Sequence, residues 1–157
     1  MSITYRRARL ADVPAMAALP EPGDAGGDPP DRMLSYLAGE SHPRQALPPR
    51  AMWLAESNGA PIGYAAGHLT RRFDCDGELQ WIYVVRGHRR SHVGTELLRL
   101  VANWFVQQNA LRVCVDVGDE AARPFYRRVG AVDLNKHWMI WNDISQLASL
   151  NPNSPHE

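Results

Sequence analysis

The chain is 157 residues long, 45% hydrophobic, and carries a formal net charge of +0. That length suits one domain with a core needing no staple or metal, and the composition excludes a disordered chain. Neutrality argues against a general nucleic-acid binder, which carries a basic excess, and the two cysteines, Cys75 and Cys114, form neither a disulfide framework nor a zinc-ligand spacing.

In chain order, ITYRRA at 3–8 predicts an edge strand. Asp12 is placed to cap a helix over about 13–19, with Val13, Met16, Ala17 and Leu19 as its apolar side. PEPGDAGGDPP at 20–30 is a loop by its Pro, Gly and Asp content. A short helix is predicted over 31–39, followed by a second proline-rich stretch, HPRQALPPR. AMWLAE (51–56) and PIGYAAGHLT (61–70) flank Asn58-Gly59, a strong hairpin-turn pair. The loop RRFDCDG leads to the strand ELQWIYVV, 78–85. A helix follows, with Val93, Leu97, Leu98, Val101, Trp104 and Phe105 on one face and an end near Asn109. LRVCVDV (111–117) has the pattern of a buried strand, so Cys114 is expected to be a small core residue. DEAARPFYRRVG predicts a short helix that Pro124 should kink or shorten. AVDLNKHWMIWNDI supplies one or two strands. This reading makes 1–146 a single domain and 147–157 a polar tail. The fold class is α/β, an α+β mixed sheet flanked by helices, with a crossover from the fourth strand through the long helix to the fifth.

The most informative stretch is YVVRGHRRSHVGTELL, residues 83–98. Arg86, His88, Arg89, Arg90 and His92 crowd a strand-to-helix junction, where like charges repel unless an anion sits among them. A helix start leaves amides unpaired and carries partial positive charge, so loop and helix amides converge on an anion-sized space. A phosphate or pyrophosphate fits that space, and Gly94 leaves the backbone open to a ligand. The bland reading of the same residues is a solvated basic turn.

Here the sequence resembles the GNAT superfamily of acetyl-CoA-dependent N-acyltransferases. Ile82-Tyr83-Val84 followed by Arg89-Arg90-Ser91-His92-Val93-Gly94 resembles the family's acyl-CoA signature, Q/R-x-x-G-x-G/A. Residues 119–131, DEAARPFYRRVGA, resemble its second motif, N-x-x-A-x-x-F/L-Y-x-x-x-G-F, and ITYRRARLADVPAMAAL resembles its first strand and helix. His92 stands where the signature has a glycine, Arg90 where a second glycine is common, and Asp119 where the second motif has Asn.

The resemblance implies a GNAT-like fold and an N-acetyltransferase using acetyl-CoA as acyl donor and a primary amine of a small molecule or protein as acceptor. By the same resemblance, the backbone of Ile82, Tyr83 and Val84 would pair with the pantetheine arm like an added strand. The amides from Arg89 through Arg90, Ser91, His92, Val93 and Gly94 to Thr95 would hold the pyrophosphate. Asp119 would line the cofactor, and Tyr126 would act as general acid toward the departing CoA thiolate. The plain reading of Phe125-Tyr126 is a pair of core aromatics.

An attacking ammonium must first lose a proton. Glu78 is the first candidate base, at the start of the strand, where the resemblance implies a carboxylate, and by period-two alternation on one face with Gln80, Ile82 and Val84; the plain alternative is a solvated strand end. Asp116 is second, and His68 and His88 are weaker because no partner is visible for them. Acidic residues at 20–50 (Asp24, Asp28, Asp31, Glu40) and in the 71–77 loop (Asp74, Asp76) suggest a cationic acceptor. Trp53, Trp81, Trp138 and Trp141 are read as core or interface aromatics. No apolar run reaches membrane-span length and the N-terminus lacks a signal core, so the expected compartment is the cytoplasm, with no membrane, nucleic-acid or metal partner. Exposed final strands make a homodimer a reasonable assembly. A rival of a different class is a catalytically idle acyl-CoA-binding or regulatory domain with the same fold.

Overall fold

The computed structural model describes residues 2–19, 30–39, 45–89 and 91–149, without the side chains of 30–32. Residues 20–29 of the expected loop, residues 42–44 of the second proline-rich stretch, the side chains of Asp24, Asp28, Asp31 and Glu40, and Arg90 therefore lie outside the described residues.

A seven-stranded sheet runs in the order β1-β2-β3-β4-β5-β7-β6. The strands are β1 (Ile3–Arg7), β2 (Ala46–Ser57), β3 (Ala60–Thr70), β4 (Gly77–Val84), β5 (Val113–Asp116), β6 (Val132–Asp133) and β7 (Trp138–Trp141). Only β4 and β5 are parallel; every other neighbouring pair is antiparallel. The helices are α1 (Val13–Ala17), α2 (Pro30–Ala38), α3 (Val93–Gln107), α4 (Arg123–Arg128) and α5 (Ser145–Ala148). The mixed sheet and the β4–α3–β5 crossover are those the residue pattern predicts.

Local chemistry explains most element ends. Asn58 and Gly59 both adopt positive φ, 54° and 80°, which a two-residue hairpin turn requires. All the residues predicted for the inner face of α3 are buried. The ring of Phe105 fills the space that a Cβ on Gly67 or Gly77 would need, so α3 lies close against β3 and β4. Burying such a ring contributes roughly 1.5–3 kcal/mol.

Three local expectations change. Asp12 does not cap α1: it closes a preceding 3-10 turn, accepts from the Arg9 amide at 2.7 Å and pairs with Arg6 at 2.7 Å. Pro124 does not kink α4, because it sits in the first turn, where its missing N–H has no partner to lose. The polar tail starts later than predicted, since α5 covers 145–148 and Leu147 is buried in the main core.

The sheet separates two cores. On one face, α3 and α5 cover Leu79, Val84, Val113 and Val115. On the other, α1 and α2 bring Val13, Met16, Met33 and Tyr36 against Met52, Leu54, Tyr64 and Tyr83. Among the described residues, no helix is long and apolar enough to cross a membrane.

Candidate active site

The site is organised by β4, whose two edges are treated differently. Toward β5 it pairs only from Gly77 to Leu79, opposite Val113 to Val115. Toward β3 it pairs up to Val84, opposite Gly63. Beyond Leu79 the parallel pair therefore splays, while β4 stays paired with β3 to Val84. A strand edge along such a gap accepts an extended chain with amide groups.

A bulge alters the expected facing of side chains. Ala66 pairs with Trp81 but Gly67 pairs with Leu79, leaving Gln80 as an extra residue. Straight alternation would group Glu78 with Gln80, Ile82 and Val84. Instead Ile82 and Val84 pack with the α3 core, while Trp81 and Tyr83 pack on the α1–α2 side. Glu78 joins that second side through His68 and Tyr36.

Glu78 is not a solvated strand end; it is 6% exposed. Its cross-strand partner is His68, which is fully buried. His68 Nε2 lies 3.6 Å from Glu78 Oε1, and the Nε of Arg72 donates to the same oxygen at 3.1 Å. On its other side, His68 Nδ1 lies 2.9 Å from the Tyr36 hydroxyl. Tyr36 packs edge-on to Trp81, and the Arg50 guanidinium lies 4.7 Å over its ring. Burial holds the Tyr36 phenol protonated well above its usual range; Arg50 opposes this and the charge of Glu78 adds to it. A carboxylate taken out of water needs a paired charge, and Arg72 provides it.

Arg72 is held there by the turn before β4. Its amide donates to the Thr70 hydroxyl at 3.1 Å, and its guanidinium lies 4.7 Å over Trp138. The next two residues, Phe73 and Asp74, both have left-handed backbones, with φ of 54° and 58°. Each non-glycine residue in that region costs on the order of 1–3 kcal/mol, a strain the surrounding structure must hold in place. His68 was a weak candidate in the sequence, and Tyr36 and Arg72 were not singled out at all. The signal for His68 was a buried-type strand with a carboxylate ten positions on; the long turn between them leaves the register open.

The junction after β4 is built mainly from backbone. Arg86, Arg89 and His92 are exposed, which spreads their charge into solvent. Arg89 turns its Nε back onto the carbonyl of Val84 at 2.9 Å, so that oxygen is already engaged. The Arg89 amide donates to Arg86 and the Ser91 amide to His88, while the Ser91 hydroxyl bonds the His88 carbonyl. These amides close the turn and do not point to an anion. The first α3 bond runs from the Glu96 amide to His92, which leaves Val93, Gly94 and Thr95 as the amides at the helix start. His92 has φ of 63°, a left-handed backbone that explains why a glycine suits this place. The space beside Gly94 is taken by protein: a Cβ there would meet the Phe125 ring at 3.4 Å and Val84 at 3.7 Å.

Tyr126 is 5% exposed and sits in the α3-side core, edge-on to Phe125 and Trp141. Burial first, and then the charge of Asp116, keep its phenol protonated well above the usual range. Glu78 and Tyr126 therefore stand on opposite faces of the sheet and share no hydrogen bond among the described residues. Asp119 accepts from the Ala121 amide at 3.0 Å and so caps the turn before α4. Asp116 is exposed and accepts from the Gly118 amide at 3.0 Å. In the 71–77 loop, Asp76 accepts the amides of Leu111 and Arg112, so it ties that loop to β5 and is not aimed at an acceptor. Cys75 and Cys114 are both buried, packed with Ile140. Trp141 is buried and donates to the Val129 carbonyl at 3.0 Å.

A parallel pair that splays beside a bulged strand, followed by a turn into a helix start, defines an acyl-CoA N-acyltransferase architecture. The family model described as "Acetyltransferase (GNAT) family" matches residues 20–131, and the chain belongs to that family of acyltransferase enzymes. The fold is similar to a GNAT-family acetyltransferase from Staphylococcus aureus Mu50, at 15% identity and TM-score 0.69, covering 89% of this chain and 98% of that one. It is similar to the ribosomal-protein-S18-alanine N-acetyltransferase from Escherichia coli, at 14% identity and TM-score 0.66, covering 88% and 91%. It is also similar to a chain of the NatC complex bound to Gag peptide and CoA, at 13% identity and TM-score 0.70, covering 90% and 98%. No protein of curated function matches the sequence.

Proposed function

We propose that this chain transfers the acetyl group of acetyl-CoA to a primary amine by direct attack, with Glu78 as general base and Tyr126 as general acid. The observation that carries the reading is the position of Glu78: a buried carboxylate one residue before β4 parts from β5. The pantetheine arm would extend along the open edge of Ile82, Tyr83 and Val84, and the pyrophosphate would meet the amides of Val93, Gly94 and Thr95. The thioester would then reach the closed end of the splay, beside Gln80.

Arg72 and His68 both approach Oε1 of Glu78, and the carboxylate they hold would take the proton of the amine. Tyr126 on the opposite face would hold its proton until charge develops on the sulfur, then stabilise the thiolate by hydrogen bonding. Base and acid on two faces suit a reaction in which the nucleophile arrives on one side of the carbonyl and the thiolate departs on another.

The acceptor amine is tested by a panel, with peptide N-termini first because two of the structural relatives are named for protein or peptide substrates. A lysine side chain, a polyamine and an aminoglycoside complete it. Titration calorimetry with acetyl-CoA is expected to show micromolar binding competed by CoA, and release of free thiol with at least one amine is expected. Binding without turnover on any amine would favour the idle acyl-CoA-binding reading, and absence of binding would overturn the proposal.

A further inference from the structure

Resting on Glu78 as the base, we propose that His68 is a positioning residue for it: its Nε2–H is the donor that orients the Glu78 carboxylate, and Tyr36 fixes the tautomer that makes this so.

The argument is one of proton placement. His68 is fully buried, and among the described residues its Nε2 has no hydrogen-bond partner within ordinary distance. A buried polar nitrogen left unsatisfied is costly, so its presence asks for a reason. The imidazole has two neighbours, the Tyr36 hydroxyl 2.9 Å from Nδ1 and Glu78 Oε1 3.6 Å from Nε2. Suppose Nδ1 carried the proton. It would donate to the Tyr36 oxygen, the phenol's own proton would be left without an acceptor, and the bare Nε2 lone pair would face the carboxylate. Both consequences are unfavourable in a site closed to water. With the proton on Nε2, Tyr36 donates to Nδ1 and Nε2–H points at an anion. Every proton then has an acceptor.

The gap of 3.6 Å is longer than a hydrogen bond. It closes with a small shift of the carboxylate, which Arg72 holds by the same oxygen at 3.1 Å. No side chain of His68 reaches the surface, so it acts through Glu78 and does not touch the acceptor. The arrangement depends on the cross-strand pairing of His68 with Glu78, fixed beside the bulge.

The test separates the tautomer from the chemistry. Long-range proton–nitrogen NMR on histidine-labelled protein at neutral pH is expected to show His68 with Nε2 protonated and Nδ1 bare. In Tyr36→Phe the lock is gone, and the His68 nitrogen shifts are expected to move toward a mixture of tautomers. A bare Nε2 in the wild type, or nitrogen shifts that Tyr36→Phe leaves unchanged, would overturn the proposal. These readouts need no acceptor and stand even if Glu78 proves not to be the base, which Glu78→Gln kinetics reports separately. A kinetic arm uses whichever panel amine turns over. His68→Gln keeps a donor near the Nε2 position and is expected to retain kcat within about threefold, while His68→Asn keeps only the contact to Tyr36 and is expected to lose about tenfold or more in kcat with little change in KM. Equal kcat in the two variants would count against a positioning role.

Discussion

The two ends of β4 are built on opposite principles. At its start, Glu78 is enclosed by side chains from three other elements: His68 of β3, Tyr36 of α2 and Arg72 of the turn. At its finish, Arg86, Arg89 and His92 stand in solvent and the order comes from backbone, in a tight turn and a left-handed His92. On the proposed function, the difference follows from what each end would have to hold. A proton acceptor must be fixed within a fraction of an ångström of a reacting atom, which buried side chains achieve. A pyrophosphate is large and doubly charged, and amides at a helix start bind it without any particular side chain. The chemistry end should therefore be intolerant of substitution and the cofactor end tolerant.

The largest expected effect is at the enclosed end. Glu78→Gln preserves shape but removes the base, and kcat is expected to fall by about a hundredfold or more while the calorimetric affinity for acetyl-CoA stays nearly constant. A fall in affinity without a fall in kcat would reverse the assignment of the two ends. Loss of the carboxylate also leaves Arg72 without its anion, so a lowered melting temperature is expected alongside.

Next comes Gly77→Ala, which attacks the same end from the other face. A Cβ there collides with the ring of Phe105, which is fully buried and cannot move aside freely. Overpacking of this kind costs about 1–3 kcal/mol, and urea unfolding should show it. If stability is unchanged, α3 is not pressed against β4 as tightly as its packing indicates.

Tyr126→Phe is smaller again. Only a hydroxyl is lost from a ring that otherwise stays packed against Phe125 and Trp141. Turnover is expected to drop at least about tenfold with CoA binding nearly intact. Unchanged turnover would remove Tyr126 from the mechanism and leave it a core aromatic.

What the sequence disclosed follows the same division. Elements with strong periodicity or turn chemistry were legible: the α3 face, the Asn58-Gly59 hairpin, and the strand-to-helix junction with its family resemblance. Tyr126 was legible as a position in a motif, and Glu78 as a carboxylate at the start of a strand. The company of Glu78 was not, because it depends on a one-residue bulge at Gln80 and on a register that a long turn does not dictate. Period-two counting runs through a bulge without noticing it, and so assigned Glu78 to the wrong face. The misreadings of Asp12 and Pro124 are of a related kind. Each residue has the right chemistry for a helix start, but a 3-10 turn precedes each helix: one takes up the Asp12 side chain, and the other leaves Pro124 in the first turn of α4.

The smallest effect is expected at the open end, where His92→Gly asks whether the side chain matters at all. His92 is exposed and has φ of 63°. A left-handed backbone costs a β-carbon-bearing residue on the order of 1–2 kcal/mol, and glycine adopts it freely. Against this, glycine loses more chain entropy on folding, by roughly 0.5–1 kcal/mol. The two terms nearly cancel, so stability should rise by at most about 1 kcal/mol. If the pyrophosphate seat is made of the amides of Val93, Gly94 and Thr95, affinity for CoA is kept or tightens, because the backbone is held in the same turn and nothing stands over it. A clear loss of affinity in calorimetry would mean instead that the imidazole is itself a phosphate ligand. The cofactor end would then rely on a side chain, as the catalytic end does, and the contrast between the two ends of β4 would no longer hold.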